Sequence, residues 1–153
     1  MAKHRKKSAG GLPAKGRLRD MADSLWSLAV RADWGERCAI CGAGKCEAHH
    51  LVPRQHEATR YDMANGIALC PNCHKFSKDY SPHQNAAGFI RWLEEHWECT
   101  AEWLDEHCWP KFDGVKNVAH YLDVLRQLRQ YVEPEEFERI VGVKLVRNLD
   151  EED

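Results

Sequence analysis

The chain reads as a small α+β domain, mainly helical, and two observations point that way. First, apolar residues recur at helical spacing in separate stretches: Met21, Leu25, Leu28, Ala29 and Ala32, then Phe89, Ile90, Leu93 and Trp97, then Val115, Val118, Leu122, Leu125, Leu128 and Val132. Second, residues 37–80 are dense in Cys, His and turn residues and leave room for short strands at most. With 153 residues the chain is long enough for one modest core.

Asp20 is the expected N-cap of a first helix over 21–32. Ser81 and Pro82 mark the start of a second, to about Trp97. A short helix near 101–108 precedes Pro110, and a clear amphipathic helix spans 115–132 before Pro134 interrupts it. The stretch Gly142–Arg147 is expected as a short strand or a turn. The Trp-rich helices read as core or lid packing. Three parts result: a basic flexible arm over 1–19, a core over 20–80, and a helical extension over 81–153 packed on that core.

The net charge of −2 hides an asymmetry. Lys3, Arg5, Lys6, Lys7, Lys15, Arg17 and Arg19 precede the first acid, whereas Glu133, Glu135, Glu136, Glu138 and the last four residues are acidic. A basic arm is the electrostatic footprint of nucleic-acid contact, although a solubilising tail has the same composition. No run approaches the roughly 20 apolar residues of a membrane helix, so no membrane partner is expected. The charged N-terminus lacks the apolar stretch of a secretory signal, which points to a reducing, cytoplasmic setting.

In that setting paired cysteines mean metal rather than disulfide, and the odd count of seven agrees. Cys38-Ala-Ile-Cys41 and Cys70-Pro-Asn-Cys73 are two such pairs. Four thiolates in tetrahedral array form a structural zinc cage, and Gly42 supplies the left-handed turn that follows the first pair. The 28 residues between the pairs exceed the 15–20 of a simple zinc ribbon, so the insertion has room for something besides the cage. Cys46 has poorer spacing and reads as an unused thiol, and Cys99 and Cys108 read as buried small hydrophobes. Cys70-Pro-Asn-Cys73-His74 also matches the haem c attachment pattern. That reading leaves Cys38 and Cys41 unexplained, and absence of a Soret band would close it.

The insertion contains Cys46-Glu-Ala-His49-His50-Leu-Val-Pro-Arg54. Neighbouring side chains on a strand face opposite ways, so His49 and His50 cannot serve the same place. Taken together, CAIC…AHHLVPR…YDMANGIALCPNCHKF resembles the zinc-containing branch of the HNH nuclease family over roughly residues 38–78. The resemblance implies the ββα-metal fold, a hairpin and a helix clipped by the four cysteines. It implies that His49 and His74 hold a catalytic divalent metal, that His50 is the general base, and that Asn65 orients that base. It implies hydrolysis of DNA phosphodiester bonds, leaving a 5′ phosphate and a 3′ hydroxyl. Relatives that supply a further His do so one helical turn after the last ligand; Lys78 stands there in this chain, so only two protein ligands are expected. Two imidazoles suit Mn2+, Ni2+, Co2+ or Zn2+ on softness grounds, and Mg2+ by availability.

Arg54, Arg60, Lys75 and Lys78 flank the motif and are candidates for DNA phosphates, with solvated surface as the plainer reading. His56 and His83 carry no motif role, and His96, His107 and His120 read as structural. Small proteins of this build resemble phage-encoded nucleases of recombination or packaging, and stand-alone restriction and homing enzymes. The contrasting function is a non-catalytic zinc module that binds nucleic acid or protein. Oligomeric state, substrate specificity and nicking versus double-strand cleavage are not readable.

Overall fold

The structure, a computed structural model, describes residues 11–151. Its elements are helix α1 (Lys15–Asp33), strand β1 (Glu47–His50), a 3-10 turn (Met63–Asn65), strand β2 (Gly66–Leu69), a π-helical turn (Asn72–Phe76), and helices α2 (Ala86–His96), α3 (Glu98–His107), α4 (Val118–Arg129), α5 (Pro134–Val141) and α6 (Val143–Glu151). This is the expected α+β architecture, with one antiparallel hairpin among helices. Among the described residues no helix is long and apolar enough to cross a membrane.

Helix α1 starts at Lys15 rather than after Asp20, because Leu18 extends the apolar face by one more turn and is fully buried. Lys15, Arg17 and Arg19 therefore ride on a helix and not in an arm; Lys3, Arg5, Lys6 and Lys7 lie outside the described residues. Helix α4 packs along α1, and Leu18, Leu25, Trp26 and Val30 meet Leu125, Leu128, Phe137 and Leu145 in the larger apolar cluster. Asn117 caps α4 by accepting from the His120 amide, so Val115 lies outside the helix and is exposed. Pro134 opens α5 at its first turn, where its missing N–H costs nothing, and the Gly142–Arg147 stretch continues into α6. Among the described residues the only sheet is the β1–β2 hairpin, and Leu145 and Leu149 at i and i+4 bury against α1's cluster as a helix.

A smaller cluster joins the cysteines and Ile67 and Leu69 of β2 to Phe89, Trp92 and Leu93 of α2. Trp92 is buried where Trp97 was expected; Trp97 falls past the end of α2 and is exposed. Cys99 and Cys108 are also exposed, because α3 buries none of its residues.

The hairpin pairs Glu47 with Leu69, Ala48 with Ala68, His49 with Ile67 and His50 with Gly66. Gly66 is required there by space. A Cβ on it would overlap the Val30 side chain and meet the Trp26 ring at 3.0 Å. We expect Gly66→Ala to destabilise the fold by about 1–3 kcal/mol through overpacking. At roughly 2–4 °C per kcal/mol for a chain of this size, a thermal melt would show the loss; an unchanged midpoint would contradict it.

Candidate active site

Strand alternation separates the two histidines as their adjacency demanded. Ala48 and His50 face α1: Ala48 packs on the larger cluster, and the His50 ring stacks on Trp26 at 3.7 Å between centroids with 10° between planes. Glu47 and His49 face the π-helical turn, where both reach His74.

The four thiols of Cys38, Cys41, Cys70 and Cys73 have their sulfurs within 4.8 Å of one another, and Cys41 Sγ lies 3.6 Å from Cys70 Sγ. Sulfurs about 2.3 Å from one tetrahedral ion stand roughly 3.8 Å apart, so the group fits a thiolate-bound metal. Gly42 is left-handed (φ 75°), and its N–H donates to the Cys38 carbonyl, closing the turn that aims the first pair. Burial opposes ionisation of Cys38, but backbone N–H groups at Cys41, Cys70 and Ile40 outweigh it and bring the thiol down to about 7. Burial and then the neighbouring Cys70 and Cys41 push Cys73 up. Four thiolates in one place need a cation to offset them.

A second group forms on the face of β1 that carries Glu47 and His49, where His49, His74 and His83 bring one ring nitrogen each to a common point. His49 Nδ1 is 3.0 Å and His83 Nε2 3.1 Å from His74 Nε2. Nitrogens about 2.0–2.1 Å from one ion and at right angles stand roughly 3 Å apart, so these three fit a shared divalent metal. His74 Nδ1–H donates to Glu47 Oε2 at 2.7 Å, which leaves the Nε2 lone pair for the common point. Burial, then the neighbouring His74 and His83, pull His49 down to about 3, so its ring is a neutral donor at neutral pH. Burial also lowers His74, against the opposing pull of Glu47.

Two protein ligands were expected, and His83 brings a third ring nitrogen to the same point. It lies nine residues after His74, beyond any helical repeat, and Ser81 brings it back. The fully buried Ser81 Oγ donates to the His74 carbonyl at 2.6 Å and accepts from the His83 amide at 3.2 Å. Ser81-Pro82 is therefore the turn that returns the chain to the site, and α2 starts only after Asn85 caps it. That Ser-Pro-His run was the available signal, and helical spacing obscured it. If His83 ligates, His83→Ala should weaken divalent-metal affinity about 10–100-fold by calorimetry with little change in melting; equal affinity would remove it from the set.

His50 lies on the opposite face. Its Nε2 is 2.9 Å from the Arg60 carbonyl oxygen, which can only accept, so Nε2 carries the hydrogen and Nδ1 the lone pair. Burial draws its pKa down to about 4, partly countered by that carbonyl. Asn65 is fully buried and does not touch His50 directly. Its Oδ1 accepts from the Val52 amide at 2.6 Å, and its Nδ2 donates to the carbonyls of Val52 and Thr59, each at 3.0 Å. Asn65 thus ties both ends of the loop that runs from His50 to Arg60.

Of the candidate phosphate contacts, Arg54 and Lys78 are exposed. Lys75 is exposed and pairs with Glu47 at 3.1 Å. The Arg60 guanidinium is largely buried and bound to Asp23. His120, expected as structural, pairs with buried Glu57 at 2.9 Å. No curated protein and no solved structure matches the chain. The segment that contains both cysteine pairs, His49, His50, Asn65 and His74, residues 36–79, matches the family model of the HNH endonucleases.

Proposed function

We propose that the protein is a metal-dependent endonuclease that hydrolyses DNA phosphodiester bonds. The observation that carries this reading is the convergence of the His49, His74 and His83 nitrogens on one face of the hairpin, with a fourth imidazole, His50, on the opposite face of β1, its Nε2 tied to the Arg60 carbonyl and its Nδ1 without a hydrogen-bond partner among the described residues. A purely structural zinc module has no need of that second group.

In this reading Cys38, Cys41, Cys70 and Cys73 hold a structural Zn2+, and His49, His74 and His83 hold the catalytic divalent cation. When bound, that cation supplies Lewis-acid neutralisation of charge on the phosphodiester and on the departing 3′ oxygen. His50 is the general base: Nε2–H is engaged by the Arg60 carbonyl, so Nδ1 takes the proton from the attacking water. The low pKa of the ring keeps Nδ1 unprotonated at neutral pH. Asn65 acts through the loop it ties, keeping the Arg60 carbonyl in place behind the ring. Glu47 holds the His74 tautomer. Arg54, Lys75 and Lys78, with the basic N-terminal residues, contact phosphates.

The test is supercoiled plasmid incubated with the metal-reconstituted protein in Mn2+ or Mg2+, followed by gel electrophoresis, with DNA binding measured in parallel. Metal-dependent nicking or linearisation supports the nuclease. Retarded DNA without any cleavage supports the non-catalytic zinc module instead.

A further inference from the structure

We propose that Asp23 and Arg60 are positioning residues for His50, which makes helix α1, outside the matched segment, part of the machinery that aims the base; this rests on the nuclease reading above. The Arg60 carbonyl is the acceptor for His50 Nε2. A backbone carbonyl in a loop is only as well placed as the residue that carries it. Arg60 Nε donates to Asp23 Oδ1 at 2.9 Å, and Nη2 donates to Asp23 Oδ2 at 2.7 Å. This two-pronged pairing fixes the plane of the guanidinium as well as its distance. The preceding residue is held independently, through the Thr59 carbonyl, by Asn65.

Trp26 lies three residues after Asp23 on α1, so both project from neighbouring positions on one face. Trp26 supplies the flat surface on which the His50 ring stacks, and its own Nε1–H donates to the Asp62 carbonyl at 3.0 Å. One turn of α1 therefore sets the ring's plane through Trp26 and its hydrogen-bond partner through Asp23. The Arg60 side chain is 13% exposed, and its Nη1 donates to the Arg54 carbonyl at 3.3 Å. Its fork is engaged by the Asp23 carboxylate and the Arg54 carbonyl.

The experiment compares wild type, Asp23→Asn, Arg60→Lys, His50→Ala and the double variant Asp23→Asn/His50→Ala in Mn2+-dependent plasmid nicking. If Asp23 and Arg60 act through His50, Asp23→Asn and Arg60→Lys each lower kcat about 10–100-fold with KM for plasmid nearly unchanged. Asp23→Asn then costs nothing further once His50 is gone, and Asp23→Glu restores part of the rate. A second readout does not depend on cleavage: the exchange rate of the His50 Nε2–H proton in nitrogen-edited NMR of the full chain. It should rise at least tenfold in Asp23→Asn. Wild-type kcat in Asp23→Asn, or an equal loss in the His50→Ala background, overturns the proposal. So does a rise in KM alone in Arg60→Lys, which would make Arg60 a phosphate contact. If the wild-type protein cleaves no DNA, the nuclease reading fails; unchanged proton exchange in Asp23→Asn would then also overturn the positioning role, and faster exchange would sustain it.

Discussion

Stripping the ion from Cys38, Cys41, Cys70 and Cys73 should unfold the hairpin half of the protein. Apparent binding energies of structural zinc in small domains are about 10–16 kcal/mol, which equals or exceeds the roughly 5–15 kcal/mol that holds a typical domain together. The cage is the centre of the smaller cluster. It anchors β2 through Cys70 and the π-helical turn through Cys73, and Phe89, Trp92 and Leu93 of α2 pack against it. Without the cation, Cys73 is held protonated by its burial and by its thiol neighbours, and four crowded sulfurs have no attraction left between them. The larger cluster of α1 with α4, α5 and α6 contains none of these ligands. Chelation, or Cys73→Ser, should therefore lower the melting midpoint by at least about 15 °C or split the transition in two. Circular dichroism and Trp fluorescence, with metal content measured on the same sample, would show it. Metal-free protein that melts within about 2 °C of the loaded form would overturn the structural role.

His50→Ala should reduce cleavage by about 10²–10⁴-fold while leaving the protein folded and still able to retard DNA. Among the described residues the side chain has no hydrogen bond to a member of the three-histidine group; it stacks on the Trp26 face and bonds the Arg60 carbonyl. Removing it leaves the His49, His74 and His83 nitrogens where they are, so divalent-metal affinity by calorimetry should stay within a few-fold of wild type. Equal loss of metal affinity and cleavage would instead make residue 50 a ligand. Undiminished cleavage would transfer the base role elsewhere.

The cysteine pairs were legible because a two-residue spacer and a following glycine define a local turn, and local geometry does not depend on the rest of the fold. The opposite facing of His49 and His50 was legible for the same reason, since a strand alternates its faces wherever it is placed. Helix α1 was anticipated in its middle and missed at its start, because Leu18 continues the apolar face past a plausible cap at Asp20. Helix α6 was missed because residues 142–147 suit a strand locally, while burial of Leu145 and Leu149 on one helical face decides for a helix. The lone-cysteine reading failed at Cys99 and Cys108, where α3 lies against its neighbour without burying a side chain.

Spacing along the chain was enough to specify a cluster of four thiols, a hairpin with two imidazoles facing apart, and a surround of amphipathic helices. Only packing decided that His83 returns to His74 over a buried Ser81, that Arg60 turns inward to Asp23, and that Trp26 lies flat against His50. The reason is range. A turn or a strand is set by bonds between near neighbours, whereas a contact between residues 23 and 60, or 26 and 50, exists only once α1 has been laid across the hairpin by the burial of its apolar face.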